Sequence, residues 1–249
     1  MGKFRALIVV VALLPWPLLL GPDNWWAFIL VTAAIMAVLR LLLGPEWPSA
    51  AGLNMPLVHA LAAVAAYVMI AAGAKMLLSH VYVSVGLKAN APALTQQIGF
   101  LFQALNEEIL FRSLLIGLLL PFARSAALVS LATALVFPAA HFLLYRFSNP
   151  LHVTLSLTAL ATLFLAGVAL NNLYLRFRHI GFSWALHAGW NVVWLPAATY
   201  DALTKKPLPE PELFNRVLGS PTIAAVALAI AGLSFALLAL RPLKSEATP

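Results

Sequence analysis

At 249 residues the chain has the length for one or two soluble domains, but 63% hydrophobic residues, 9% charged residues and a mean hydropathy of +0.95 point instead to a polytopic membrane protein. The net charge of +7 would suggest nucleic acid in a soluble protein; here the basic residues stand singly between apolar segments, which reads as membrane orientation, with no nucleic-acid partner. No cysteine is present, which excludes disulfides, thiolate metal sites and a cysteine nucleophile.

In chain order there are about eight apolar stretches, near 5–20, 25–43, 56–78, 96–120, 125–145, 153–175, 180–199 and 221–240, each close to the length of a spanning helix. The first follows Lys3 and Arg5 and has the basic and apolar parts of a signal peptide. It has no small-residue cleavage pattern before Gly21-Pro22, so an uncleaved first span is expected, kinked by Pro15 and Pro17. Turn residues separate the stretches at Gly21–Asn24, Gly44–Pro48 and Ser148–Pro150, and a Pro-rich loop is expected from Lys205 to Glu212. The expectation is an all-α transmembrane helical bundle, one integral membrane domain over 1–249. Trp25, Trp26 and Trp47 read as interface anchors, and His59, Lys75, Asn171 and Asn172 as interhelical hydrogen-bonders or snorkelling residues.

The fourth stretch carries Gln103, Glu107, Glu108 and Arg112. An ionisable group in mid-bilayer costs roughly 2.5–3.5 kcal/mol on insertion scales, so three so close together require pairing or a function. At about 100° per residue, Arg112 lies near the face of Glu108, one turn away, and far from that of Glu107. Glu108 and Arg112 therefore pair. A pair of this kind can simply fix helix register, but that leaves Glu107 unexplained. Gln103, one turn before Glu107, extends its face into a polar stripe directed at the bundle interior or a wet cavity.

In the fifth stretch Phe137 and His141 share a face, and Pro138 removes a backbone donor and opens the helix. In the seventh, His187 and Asn191 stand one turn apart, and the small residues Ala188 and Gly189 admit a close neighbour. Singly, each histidine or asparagine could be packing or interhelical glue. Together Glu107, His141, His187 and Asn191 offer a general base, a second acid/base or water-positioning group, and donors for an oxyanion, which are the parts for hydrolysing an acyl bond with water.

The three patterns, Glu-Glu-x-x-x-Arg at 107–112, Phe-x-x-x-His at 137–141 and His-x-x-x-Asn at 187–191, resemble in order and spacing the CPBP family, the intramembrane proteases named for CAAX processing and bacteriocin self-immunity, also called ABI. The resemblance covers about 96–199, a four-helix catalytic core. It implies a glutamic-type endopeptidase in which Glu107 and His141 activate water, His187 and Asn191 stabilise the oxyanion, and Glu108 with Arg112 braces the site. No cofactor is implied; a zinc held by Glu107, His141 and His187 is the alternative, since one carboxylate and two imidazoles make a workable site. The implied partners are a membrane-anchored protein or peptide substrate, prenylated or not, and the lipid bilayer. The compact chain resembles bacterial members, which implies a bacterial plasma membrane. Of the other readings, a non-hydrolytic scaffold or immunity-type binding protein of the same fold competes most directly. A transporter finds no repeat symmetry to support it.

Overall fold

The computed structural model describes residues 2–13, 25–90, 93–148, 154–194 and 199–240. Its helices are α1 (Gly2–Leu13), α2 (Trp25–Leu43), α3 (Leu57–Ser84), α4 (Leu94–Glu108), α5 (Ala126–Ala134), α6 (Val136–Ser148), α7 (Leu157–Phe177), α8 (Gly181–Asn191), α9 (Glu210–Val217) and α10 (Pro221–Ala239). The chain is an all-α polytopic bundle. Five helical segments are long and apolar enough to cross a membrane: Trp25–Ala50, Leu57–Ser84, Ala126–Arg146, Leu157–Phe177 and Pro221–Ala239. Such segments are helical because a bilayer offers backbone N–H and C=O groups no partner except each other. Where helices begin, side chains complete the accounting: Ser125, Ser156 and Ser220 each accept a hydrogen bond from the backbone N–H three residues on, at the starts of α5, α7 and α10. Large apolar side chains such as Leu41, Met76, Val83 and Leu240 stay on the outside of the bundle, as a hydrocarbon solvent permits.

Several elements differ from the sequence expectation. The first stretch is helical over Gly2–Leu13, and its remainder lies outside the described residues. The fourth stretch begins as α4 but continues as a π-helical segment, Ile109–Ile116, directly after the glutamate pair. That wider turn carries Arg112 and Ser113 fully into the core, where Ser113 Oγ donates to the Ala51 carbonyl at 2.7 Å. The fifth stretch is two helices broken at Leu135, because the Pro138 ring cannot coexist with a continuing helix at the Ala134 carbonyl, four residues back. The seventh yields only the 11 residues of α8; Thr199, at its far end, lies in a strand instead. That strand, β2 (Thr199–Asp201), pairs antiparallel with β1 (Leu87–Ala89), Lys88 facing Tyr200 in the register. The Pro-rich loop is shorter than expected because α9 begins at Glu210, flanked by Pro209 and Pro211. Glu210 and Glu212 stand in its first turn and Arg216 in its last, the charge order that a helix dipole favours.

α7 packs along α10 and also meets α5, α6 and α8, while α8 lies against both α3 and α4. α4 rests on α2, where Thr32 Oγ1 donates to Asn106 Oδ1 at 2.7 Å. Asn171 donates to the Ser130 carbonyl and Thr133 Oγ1, both at 2.9 Å, and Asn172 to Ser234 Oγ at 3.0 Å, so both asparagines bond between helices. The arrangement leaves a cavity bounded by α3, α4, α6, α7, α8, α9 and α10.

Candidate active site

Glu107, His141, His187 and Asn191, contributed by α4, α6 and α8, all line this one cavity of about 940 Å³. Apart from them and Gln103, Asn106, Tyr145, Thr162 and Glu210, its walls are apolar, with Phe111, Phe137, Trp190, Trp194 and Phe214 among them. The size and the few convergent polar groups suit an extended apolar ligand.

Glu107 sits at the wall with its side chain 14% exposed. Gln103 Nε2, one turn earlier, donates to Oε1 at 3.1 Å. Oε2 is buried and accepts no hydrogen bond among the described residues; His187 Nε2 stands 3.7 Å from it, too far for a direct bond. The polar stripe expected of Gln103 and Glu107 thus fixes one carboxylate oxygen and leaves the other open.

Glu108 is fully buried, with Arg112 Nη1 3.2 Å from its Oε1. The guanidinium also lies 5.1 Å from the Phe137 ring centroid and 5.7 Å from that of Phe111. Helix geometry makes that pair legible, but Glu108 does more: its Oε1 is also 2.9 Å from His187 Nδ1. A carboxylate beside a guanidinium accepts, so Nδ1 carries the proton and the ring turns Nε2 to the cavity. His141 is held similarly, Nδ1 lying 2.9 Å from the Phe137 carbonyl oxygen. A carbonyl only accepts, so Nδ1 carries the proton and, in the neutral ring, Nε2 carries the lone pair.

Two further anchors set α8. Trp184 Nε1 donates to the Leu101 carbonyl of α4 at 3.1 Å. At Gly189 a Cβ would stand 2.8 Å from Ile70 Cγ2 and 3.2 Å from the Tyr67 carbonyl, so only glycine lets α3 approach this closely. Gly189→Ala is therefore expected to push α8 off α3 and shift His187 and Asn191 together. Displacement near 1 Å costs on the order of 100-fold in rate, measurable as a lower kcat in a variant that still folds.

Sequence reasoning missed Tyr145 and Glu210. Tyr145 is one turn beyond His141 and donates to Glu210 Oε1 at 2.9 Å, tying the first turn of α9 to the histidine-bearing helix. The signals were present: the i,i+4 spacing from His141, and the prolines bracketing Glu210. Burial against this wall pushes the Glu210 carboxyl up, while the Tyr145 hydrogen bond opposes that shift. His59 faces away from the cavity, its Nδ1 2.9 Å from His179 Nε2. Among the described residues no group of three or more His, Asp or Glu side chains is placed to hold a metal ion.

Residues 89–193 match the family described as type II CAAX prenyl endopeptidase Rce1-like. No curated protein and no solved structure matches the chain. The matched segment contains all three motifs, and with them Gln103, Glu107, Glu108, Arg112, His141, Tyr145, His187 and Asn191, but not Glu210. With five helical segments long and apolar enough to cross a membrane, the protein is an integral membrane protein, and the family that this segment resembles is one of CAAX-type endopeptidases. Over residues 89–193, then, the chain is similar to the Rce1-like family, the type II CAAX prenyl endopeptidases.

Proposed function

We propose that this chain is a glutamic-type intramembrane endopeptidase that cleaves membrane-associated protein or peptide substrates, of the CAAX or C-terminal sorting kind, in a bacterial plasma membrane. The observation that carries the reading is that Glu107 lines an apolar cavity together with His141, His187 and Asn191 while its Oε2 accepts no hydrogen bond among the described residues. Gln103 restrains the carboxylate from behind, which preorganises Oε2 as a base. Oε2 takes one proton from a water while the His141 Nε2 lone pair accepts a hydrogen bond from the other, orienting the oxygen. The water oxygen bonds to the scissile carbonyl carbon, and the C=O π electrons move onto the carbonyl oxygen. Asn191 Nδ2 and His187 Nε2 donate to that oxyanion. Collapse re-forms the C=O bond and breaks the C–N bond; Glu107 returns its proton to the departing amine.

His187 can donate from Nε2 only as an imidazolium, because its Nδ1 proton is already directed at Glu108. Glu108 is thus a positioning residue for His187 as well as the partner of Arg112.

The reading makes water activation independent of a metal. After exhaustive chelation, the purified chain in liposomes is expected to cleave a membrane-anchored peptide at its original rate. A rate abolished by chelation and restored by zinc would replace this mechanism with a metal-assisted one.

A further inference from the structure

Across α3 from the catalytic cavity lies a second cavity of about 670 Å³, bounded by α3, the β1–β2 pair, the start of α4 and the residues following α8. Tyr67, Lys75 and Ser79 reach it at helical spacing from one face of α3, and Lys88 and Tyr200, opposite each other in the strand pair, close its end. Among the described residues no aspartate or glutamate lines it. The carboxylate next along the chain, Asp201, is taken: Arg216 Nη1 donates to its Oδ2 at 3.1 Å and the Thr204 backbone N–H to its Oδ1 at 2.9 Å. Lys75 and Lys88 form no ion pair among the described residues. The Ser79 hydroxyl already donates to the Lys75 carbonyl at 2.7 Å, so the cavity combines two ammonium groups with the phenols of Tyr67 and Tyr200, a set that calls for an anion with several acceptor oxygens.

Its level in the membrane narrows the anion. α3 has 28 residues, and at about 1.5 Å per residue such a helix is some 42 Å long, beyond the roughly 30 Å of a hydrocarbon core. The excess falls at its C-terminal end, where Lys75, Ser79, His80 and Ser84 break the apolar run and the chain passes into β1. By that length this is the level at which headgroup phosphates would lie. Met76 and Val83 on the same stretch of α3 are 76% and 79% exposed, offering acyl chains a wall beside the polar opening.

We propose that this second cavity binds the phosphate of an anionic phospholipid, Lys75 and Lys88 being its cationic ligands. The bound headgroup fills the space between α3 and the strand pair, beside Val192 and Val193, which directly follow the Asn191 end of α8. The inference does not depend on the peptidase reading, since none of its residues is assigned a catalytic role.

The test is native mass spectrometry of the full chain extracted from liposomes of phosphatidylcholine containing phosphatidylglycerol, alongside the Lys75→Gln/Lys88→Gln and Lys75→Arg/Lys88→Arg variants. Wild type is expected to retain one phosphatidylglycerol in preference to phosphatidylcholine, the glutamine variant to lose that retention by about tenfold, which is 1.4 kcal/mol at 25 °C, and the arginine variant to keep it. Melting of each variant in lipid-free detergent distinguishes lost binding from lost folding. Equal retention by a folded glutamine variant would overturn the site. Stabilisation by inorganic phosphate alone, without lipid preference, would assign the cavity to free phosphate and overturn the lipid assignment.

Discussion

Glu107→Gln is expected to fold normally and to lose about 10²–10⁴-fold in cleavage rate, the range general-base removal produces. Glutamine keeps the shape of the side chain and an oxygen for the Gln103 amide to reach, so the cavity wall is preserved. What disappears is the proton acceptor at the Oε2 position. Substrate binding is expected to persist, so kcat falls while KM stays near its original value. Initial rates in reconstituted membranes, with a melting curve for each variant, separate this from misfolding. A scaffold or immunity-type protein would retain its biological effect in the same variant.

Glu108→Ala has the largest expected effect on stability. It strands the Arg112 guanidinium in a fully buried site, and breaking a buried ion pair from one side costs about 3–5 kcal/mol. The expected result is a sharp fall in the yield of monodisperse protein on size exclusion. Replacing both partners with neutral side chains, as in Glu108→Gln/Arg112→Met, removes the stranded charge and is expected to recover most of the yield, because apolar replacement of a buried pair is often neutral. Activity does not return with it. His187 has exchanged a carboxylate for an amide, so its ring is less firmly held. A double variant regaining both yield and rate would reduce Glu108 to a structural role.

Much of this site could be read from the chain because it follows helical period. The Glu108–Arg112 pair, the Gln103–Glu107 stripe and the one-turn spacing of His187 and Asn191 are local relations, fixed by about 100° per residue. The family resemblance then supplied which helices share a cavity. Beyond that, local reasoning ran out where contacts cross between elements. The His187–Glu108 contact joins residues 79 positions apart, and nothing in either motif alone indicates it. The π-helical segment after Glu108 is a tertiary compromise that buries Arg112 and Ser113, and hydropathy reads it as ordinary helix. Hydropathy also merges α5 with α6, where Pro138 gave the break, and extends α8 through residues that lead to a strand. α9 was missed for the opposite reason: it is short and polar on one side, so prolines and charges hid a helix that their order in fact announces.

The central claim is that water held by Glu107 attacks the peptide bond directly. Its most direct test is cleavage of a synthetic membrane-anchored peptide by the purified chain in heavy-oxygen water, with mass spectrometry of both fragments and of the intact protein. The expected result is one heavy oxygen in the new carboxyl group, no acyl adduct on the protein, and no fragments from Glu107→Gln. An acylated protein during turnover, or fragments produced equally well by Glu107→Gln, would contradict it.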